Sequence, residues 1–261
     1  MNFNYRDRYL NLMAQVLDGT LIKDPPLRWY EGTYDPKLRE SGWDWPSVAL
    51  TMIGTKRLAN VRFVLESVIS ENVKGDFVET GVWRGGASIY AKAVLMSYGC
   101  LDRKVICCDS FEGLPEPNAE QYPKDAGSEF HTYPELAVSL EEVQANYKSI
   151  DLLDDNVECL KGWFRDTMSK VPSKKIAVLR LDGDMYESTI DPLTHLYDRI
   201  PDGGWVIVDD YNVVAACKDA VHDFLRSRNE TPELKQIDGI GAFFRKNEDK
   251  FLARKKRRFF I

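Results

Sequence analysis

The first third of the chain combines two helical stripes of apolar residues with one irregular segment. Apolar residues recur every three or four positions in Arg6–Asp18 and again in Thr55–Ser70, so a helix is predicted over each range. Lys23–Trp45 contains two consecutive prolines and many aromatic and charged residues without a period, which predicts a loop. Its length favours a lid or a partner-contacting arm over a plain connection. We therefore expect residues 1–73 to form an N-terminal helical cap with a lid segment.

From Gly75 onward, short apolar runs alternate with helical stretches. The runs predict seven strands, at Asp76–Thr80, Val105–Asp109, Val157–Gly162, Ile176–Asp182, Trp205–Asp209, Leu234–Ile237 and Ala242–Arg245. The intervening helices are predicted at Ala87–Tyr98, Pro134–Tyr147, Ser188–Arg199 and Ala215–Arg228. This alternation indicates a parallel sheet covered by helices on both faces, and the last two strands should form a hairpin. The predicted fold is an α/β core over residues 74–246 with a seven-stranded, mostly parallel sheet, followed by a basic tail over 247–261. We expect the terminal LARKKRRFFI of this tail, residues 252–261, to fray.

Composition narrows the functional classes. The 261 residues carry a formal net charge of −6, which argues against nucleic acid as the main partner. No apolar run reaches the roughly 18 residues of a membrane span, and the first residues do not resemble a secretory signal. The five cysteines lack CxxC spacing, so we expect neither a disulfide framework nor a zinc site. These features predict a cytoplasmic protein with reduced thiols and no membrane partner.

The first predicted strand runs into FVETGVWRGGAS, residues 77–88, a strand, glycine turn and helix start typical of nucleotide-binding α/β proteins. Its glycines, Gly81, Gly85 and Gly86, do not have the GxGxxG spacing of dinucleotide sites. A pyrophosphate binds the backbone N–H groups of a helix start and disfavours a nearby negative charge. S-adenosylmethionine has no phosphate and carries an ammonium and a sulfonium, so the acidic Glu79 favours that cofactor. The alternative is a tight turn that binds no ligand.

Two further strand ends on the same edge offer contacts for an adenosine. Asp109 closes the second predicted strand, where a carboxylate can accept both ribose hydroxyls. A turn or helix cap is an equally common use of aspartate, so both roles stay open. Gly162, Trp163 and Phe164 follow the third strand and suit either an adenine face or the core. Together, these strand ends favour a nucleoside-containing ligand.

Acidic residues end the fourth and fifth predicted strands. Asp182, Asp184 and Glu187 follow one strand, and Asp209 and Asp210 follow the other. Adjacent parallel strands bring these carboxylates together, and a hard cation such as Mg²⁺ would offset their repulsion through oxygen ligands. Neighbouring strand residues point to opposite faces, so the last two share an ion only if their strand has ended by about position 208. The alternative is that the carboxylates pair with arginine, lysine or helix termini, with Arg180 and Lys218 as the available cations.

Several long motifs in order resemble the macrocin O-methyltransferase family, which includes enzymes that methylate deoxysugars of macrolide and aminocoumarin antibiotics. The resemblance covers the chain from about Tyr5 to Arg245. The motifs are DWPSVALTMIG (44–54), FVETGVWRGGAS (77–88), DSFEGLP (109–115), LAVSLEEV (136–143), GWFRDT (162–167), LRLDGDMYEST (179–189) and VIVDDYN (206–212).

The resemblance implies a class I, Rossmann-like methyltransferase that uses S-adenosylmethionine and bound Mg²⁺ to methylate a sugar hydroxyl. The residues that match the family's cofactor contacts are Glu79, Gly81, Ser88, Asp109, Ser110, Gly162 and Trp163. The segment that matches the closure over the methionine end of the cofactor consists of Thr51, Met52 and Ile53. The glycosylated acceptor is implied to be a small molecule.

The metal ligands implied by the resemblance are Asp182, Asp209 and Asp210. Asp182 and Asp184 match the catalytic residues, and Asp184 has the place of the general base. Family members are commonly homo-oligomers in which N-terminal segments help to cover the active sites. The resemblance therefore also implies that this chain assembles with copies of itself.

The chain departs from the family pattern at two places, both of which bear on the acceptor. Leu50 stands where members often have histidine, and GIGAFF over Gly239–Phe244 stands where members often have WTGVYW. A non-sugar vicinal diol or a catechol-like acceptor is the nearest alternative. An NAD-dependent oxidoreductase, a metal-dependent hydrolase and a non-catalytic binding module are alternatives of other classes.

Overall fold

A seven-stranded sheet runs through the middle of the computed structural model, which describes residues 4–27 and 32–258. The strands are β1 (Asp76–Thr80), β2 (Val105–Asp109), β3 (Val157–Lys161), β4 (Ile176–Leu181), β5 (Trp205–Val208), β6 (Lys235–Gln236) and β7 (Ala242–Arg245). Their order is β3-β2-β1-β4-β5-β7-β6. The first five strands are parallel, and β7 is antiparallel to both of its neighbours. The predicted α/β sheet and its terminal hairpin are therefore confirmed.

Helices cover both faces of this sheet. Their bounds are α1 (Tyr5–Leu17), α2 (Pro36–Ser41), α3 (Gly54–Ser70), α4 (Gly86–Ser97), α5 (Leu140–Ser149), α6 (Phe164–Thr167), α7 (Tyr186–Leu196), α8 (Ala215–Ser227) and α9 (Glu248–Arg258). Successive strand residues face opposite sides, so Phe77 joins a core with α1, α3, α4 and α5, whereas Val78 joins a core with α7 and α8. Helices α1 and α3 thus extend the layer that covers one face of the sheet. The division into cap, core and tail at residues 73 and 246 stays a prediction.

Several predicted boundaries differ from the observed ones for local reasons. The helix predicted from Pro134 is a short 3₁₀ turn, and α5 begins only at Leu140, where the Ser139 side chain accepts a hydrogen bond from the Glu142 N–H. The predicted loop contains α2, which Asp35 caps and which begins with Pro36, a residue favoured at the first helical position. Residues 28–31 of this predicted arm lie outside the described residues.

The basic C-terminal segment forms α9, contrary to the expected fraying. Phe251 packs over Gly203, where an added Cβ would lie 2.4 Å from the phenyl ring. The Arg245 guanidinium lies 4.2 Å from the centroid of the same ring. Lys255 also pairs with Glu71 at 2.9 Å. One apolar anchor within the charged run therefore holds the helix, and residues 259–261 lie outside the described part of the chain.

The N-terminal segments are joined by a fully buried arginine, Arg39, at the end of α2. Its Nη2 donates to the Asp44 carboxylate at 2.7 Å and to the Asp24 carbonyl at 2.8 Å. Its Nη1 donates to the Asp18 carbonyl at 2.6 Å. Asp24 in turn accepts the N–H groups of residues 48 and 49 through its carboxylate. These bonds fix the chain that leads into residues 51–53.

Among the described residues, no helix is long and apolar enough to cross a membrane.

Replacing Arg39 with methionine should lower the free energy of unfolding by about 3 to 5 kcal/mol, because it leaves the buried Asp44 carboxylate without its cation. Denaturant unfolding followed by circular dichroism measures the change. The control is Arg226→Met, which breaks an ion pair whose arginine side chain is 76% exposed and should change stability by less than about 0.5 kcal/mol. Equal stability of the two variants would contradict the structural role of Arg39.

Candidate active site

A cavity of about 360 Å³ opens at the carboxyl ends of the parallel strands, where ligands bind in open α/β sheets. Residues 51–53 form one side of it, and the ends of β1, β2, β4 and β5 form its floor. The predicted site residues that line it are Thr51, Met52, Ile53, Glu79, Gly81, Asp109, Ser110, Gly162, Trp163, Asp182, Asp184, Asp209 and Asp210. The fold thus brings segments from most of the chain to one edge.

The turn after β1 requires glycine at two positions, because a side chain at either would overlap a neighbouring backbone. Gly81 has φ +86°, and an added Cβ would lie 1.8 Å from the Asp182 carbonyl oxygen. Its N–H donates to the Cys108 carbonyl at 2.9 Å, so the turn is held against the end of β2. Gly86 begins α4, and an added Cβ there would lie 2.4 Å from the Leu50 carbonyl oxygen. Glycine at both positions therefore lets the turn contact the loop after β4 and the segment that precedes residues 51–53.

The Asp109 carboxylate accepts backbone hydrogen bonds at the end of β2. Its two carboxylate oxygens accept the N–H groups of Val82 and Phe111, each at 2.7 Å. Burial raises the pKa of Asp109, and these backbone bonds lower it in part. The Ser110 hydroxyl also donates to the Oδ1 atom of Asp109, at 3.3 Å, so the turn itself supplies several donors to this carboxylate. Asp109 therefore has the turn role that the sequence left as an alternative, and its contact with ribose hydroxyls stays a prediction.

Asp182, Asp209 and Asp210 converge at the ends of β4 and β5. One carboxylate oxygen from each lies within 4.8 Å of the other two. Because β5 ends at Val208, Asp209 and Asp210 are outside the regular strand and can point to the same side. The Oδ2 atom of Asp210 is buried and has no hydrogen-bond partner among the described residues. This all-oxygen donor set fits a hard divalent cation such as Mg²⁺.

Two buried arginines contact the same acidic residues. Arg180 on β4 donates through Nη1 to the carboxylates of Glu79 and Asp182, both at 2.6 Å, and through Nη2 to Asp209. Arg57 on α3 donates to the other oxygen of Asp209. The alternative of arginine pairing is therefore correct for part of the cluster. Lys218 instead lies over the ring of Tyr211, 5.1 Å from its centroid.

The arginines do not balance the acidic charge. Burial, followed by the neighbouring carboxylates, raises the pKa of Asp184 to about 7. Burial also raises the pKa of Asp182 to about 6 despite Arg180, and it raises the pKa of Asp210 further above its ordinary value. On β1, burial raises the pKa of Glu79 to about 7. An additional cation would stabilise the ionised forms of these groups.

Comparison with known proteins decides the family. A profile described as Macrocin-O-methyltransferase (TylF) matches residues 6–246. The chain belongs to the macrocin O-methyltransferase family. It is therefore an S-adenosylmethionine-dependent O-methyltransferase, and the oxidoreductase, hydrolase and non-catalytic alternatives are wrong.

Similar proteins support this assignment to the macrocin O-methyltransferase family. An 8-demethyl-8-(2,3-dimethoxy-alpha-L-rhamnosyl)-tetracenomycin-C 4'-O-methyltransferase from Streptomyces olivaceus is 47% identical over 94% of this chain and 95% of its own. A mycinamicin III 3''-O-methyltransferase from Micromonospora griseorubida is 45% identical over 92% of this chain and 96% of its own. The structure of the O-methyltransferase NovP superposes with a TM-score of 0.90 at 46% identity and covers 93% of this chain and 100% of that one. The Rossmann-like class I methyltransferase fold is thus confirmed.

Among the predicted cofactor residues of this family member, Ser88 differs from the others. Its side chain is fully buried, does not line the cavity and donates to the Glu79 carboxylate. It lies behind Glu79 because α4 turns its first residues toward the sheet. Ser88 is thus placed to orient Glu79, and the structure does not place it at a ligand.

Arg57 is a charged cavity residue that the sequence interpretation overlooked. Besides Asp209, it contacts Asp238 at 3.1 Å and the Gly42 carbonyl at 3.3 Å. It shares the buried stripe of α3 with Val61 and Val64. A single arginine within an apolar helical stripe is the signal that could have identified it, because a buried guanidinium requires acidic partners.

Replacing Gly81 with alanine should abolish cofactor binding, because the new Cβ overlaps the Asp182 carbonyl oxygen and the turn must move. Isothermal titration with S-adenosylhomocysteine measures the affinity. Gly99→Ala is the matched control: Gly99 also has a positive φ, +69°, but its Cβ would meet no atom within 4 Å. That control should lose about 1 to 2 kcal/mol of stability and retain its affinity. Wild-type affinity in Gly81→Ala would contradict the assignment of this turn to the cofactor.

Proposed function

We propose that the protein transfers a methyl group from S-adenosylmethionine to a sugar hydroxyl, in particular of a deoxysugar, on a glycosylated natural product. We further propose that Mg²⁺ is held by Asp182, Asp209 and Asp210. The observation that carries this proposal is the convergence of three carboxylate oxygens within 4.8 Å, in the same cavity as the glycine turn of a methyltransferase. The names of two relatives support the acceptor class: one acts on a rhamnosyl tetracenomycin and one on a mycinamicin.

The cofactor half of the cavity is proposed to lie along β1, β2 and β3. Glu79 suits the cationic groups of the cofactor, and Asp109 and Ser110 suit its ribose hydroxyls. Gly162 and Trp163 follow β3 and border the adenine end, while residues 51–53 and Gly81 border the methionine end. The support for this placement is that all of these residues line one continuous cavity.

The chemistry proposed for the chain's own residues is general-base assistance by Asp184. Asp182, Asp209 and Asp210 would hold Mg²⁺, which would supply Lewis acidity at the acceptor hydroxyl. Asp184 lines the cavity beside the three proposed ligands and accepts the proton of the acceptor hydroxyl. The acceptor oxygen forms a bond to the methyl carbon while the bond between that carbon and sulfur breaks. The electron pair of the broken bond stays on sulfur, which gives S-adenosylhomocysteine. The walls hold the reacting atoms at a near-attack distance.

The acceptor half of the cavity favours an uncharged, largely apolar molecule around the sugar. Its walls carry the side chains of Trp43, Trp45, Phe130, Val213 and Ile240. No lysine lines the cavity in the described part of the chain, and its lining arginine, Arg57, already contacts two aspartates. A nucleoside diphosphate sugar would therefore find no uncommitted cation for its phosphates. This supports a glycoside with an apolar aglycone as the acceptor.

Labelled S-adenosylmethionine, Mg²⁺ and a panel of glycosylated natural products test this function. We expect label to enter at least one glycoside and the transfer to stop when EDTA is added. The panel includes the free aglycones, nucleotide sugars and a catechol as matched alternatives. Transfer to a catechol alone would overturn the sugar assignment, and transfer that EDTA leaves unchanged would overturn the metal assignment.

Replacing Asp182 with asparagine should reduce turnover at least 100-fold, because a proposed metal ligand loses its charge. Affinity for S-adenosylhomocysteine should change less than about threefold, since the cofactor's proposed contacts remain. The control is Asp198→Asn, whose side chain is 70% exposed and pairs with Arg228 away from the cavity. Titration of Mn²⁺ binding gives a readout that does not depend on activity, and unchanged Mn²⁺ affinity would contradict the ligand role.

We also propose that the chain forms a homo-oligomer through α1. Tyr5, Tyr9, Leu12 and Val16 fall at helical spacing on one side of this helix and are 38% to 79% exposed. The opposite side of α1 packs into the core, so the exposed stripe is free to contact a second copy. The family's tendency to oligomerise through N-terminal segments supports this assignment.

The double variant Leu12→Glu/Val16→Glu should shift the wild-type oligomer to a monomer, because it places charges in the proposed interface. Sedimentation velocity at micromolar concentration measures the change. Leu101→Glu is the control, since Leu101 is 65% exposed in the turn that follows α4. A wild-type monomer, or an oligomer that resists the double variant, would refute the α1 interface.

We propose the cytoplasm as the location of the enzyme. All five cysteines, Cys100, Cys107, Cys108, Cys159 and Cys217, are free. Reducing compartments keep thiols in this state, which supports the proposal.

A further inference from the structure

The segment that carries Asp184 is a tight turn between β4 and α7. The Met185 N–H donates to the Gly183 carbonyl at 2.6 Å, and Asp184 between them has φ +60°. Aspartate adopts this left-handed conformation more readily than most residues other than glycine, but the conformation still has a cost that contacts at either end of the turn can offset. At the strand end, the Asp182 N–H donates to the Thr80 carbonyl at 2.8 Å, which fixes the entry to the turn. The exit must be fixed by the first residues of α7.

The helix α7 has no capping side chain of its own. Its N-cap residue is Met185, which offers no oxygen to the first N–H groups of the helix. Asp125 supplies both acceptors from a loop 61 positions earlier: its Oδ1 accepts the Tyr186 N–H at 2.7 Å and its Oδ2 accepts the Glu187 N–H at 2.9 Å. Asp125 is 2% exposed, so water does not compete freely for these bonds. Its negative charge also lies at the favourable end of the helix dipole.

The turn that contains Asp125 is tied to two helices. Tyr122 donates to Asp191 on α7 at 3.1 Å, and Lys124 pairs with Asp223 on α8 at 2.8 Å. The Lys124 side chain is 41% exposed, so its ion pair contributes little, and Asp125 is the buried contact of the turn. The same loop continues to Phe130, which lines the acceptor half of the cavity. One loop therefore joins the acceptor wall to the start of α7.

We propose that Asp125 is a positioning residue for methyl transfer: by capping α7 from the acceptor-side loop, it holds Asp184 in its left-handed conformation and fixes the position of that carboxylate. The inference rests on the proposed role of Asp184 as general base. Asp125 does not line the cavity and touches no reacting group, so it acts through the backbone of α7. It also links the position of the base to the position of the acceptor wall.

Hydrogen exchange followed by mass spectrometry tests the positioning without any methyl transfer. In Asp125→Ala, the peptide that contains residues 182–190 should exchange at least tenfold faster than in the wild type, because two amides lose their acceptors. Asp154→Ala is the matched control: Asp154 likewise accepts a backbone N–H, from Asn156, and pairs with the buried Lys92, but it lies at the opposite edge of the sheet. In that variant the peptide should exchange at the wild-type rate. Wild-type exchange in Asp125→Ala would overturn the proposal.

Steady-state kinetics with an acceptor from the panel test the consequence for the reaction. At a temperature where both variants are folded, Asp125→Ala should lower kcat at least tenfold with the KM for S-adenosylmethionine changed less than twofold, since misplacing a catalytic group acts on the reaction step. Asp125→Asn keeps one acceptor oxygen and should recover part of kcat. Asp154→Ala should keep kcat within twofold.

The outcomes separate this inference from the proposed function. Equal kcat values for Asp125→Ala and the wild type overturn the positioning role. If Asp184→Asn is fully active, the proposed base is wrong, and the exchange experiment still decides whether Asp125 holds the turn. A Tm loss in Asp125→Ala that matches that of Asp154→Ala, together with a fall in kcat in the former alone, supports positioning over a merely structural role.

Discussion

The buried ion pairs of Arg180 are the contacts on which the rest of the site depends. The strand order places β1, β4 and β5 side by side, so the acidic residues at their ends meet at one edge. Glu79, Asp182 and Asp209 would repel one another there, and Arg180, 1% exposed, contacts all three. Such a cluster is stable only when each buried charge has a partner. The arginine therefore lets the sheet bring these carboxylates together.

The same arginine joins two parts of the site that are otherwise separate. Glu79 lies on β1, two residues before Gly81 of the glycine turn, whereas Asp182 and Asp209 belong to the proposed metal cluster. Both groups receive hydrogen bonds from one guanidinium, so Arg180 bridges them. Arg57 adds a link to the N-terminal segments, because it contacts Asp209 and the carbonyl at the end of α2. The cofactor turn, the acidic cluster and the N-terminal helices therefore form one electrostatic unit.

Local pattern was enough to predict the five parallel strands, because each is a short run rich in apolar residues that ends at, or directly before, a glycine or an aspartate. It was also enough to find the acidic cluster, since the residues follow adjacent strands. It did not predict the contacts of Arg57 with Asp209 or of Asp125 with α7, which join residues 152 and 61 positions apart. Periodicity carries no information on such pairs. The prediction that the tail frays was wrong for a similar reason. The composition of the tail favours exposure to solvent, but Phe251 packs over Gly203, which lies on a turn far away in the sequence.

The two departures from the family pattern affect the cavity differently. Position 50 meets the cofactor turn through its backbone carbonyl, against Gly86, while its leucine side chain packs into the core. The contact of position 50 with the glycine turn therefore does not depend on its side chain. The segment after β6 differs, because the Asp238 carboxylate accepts the N–H groups of Ile240 and Gly241 and Ile240 itself lines the cavity. Side-chain changes there alter the acceptor wall directly. A side-chain change at Ile240 would therefore alter the lining of the cavity, whereas the side chain at position 50 is not part of that lining.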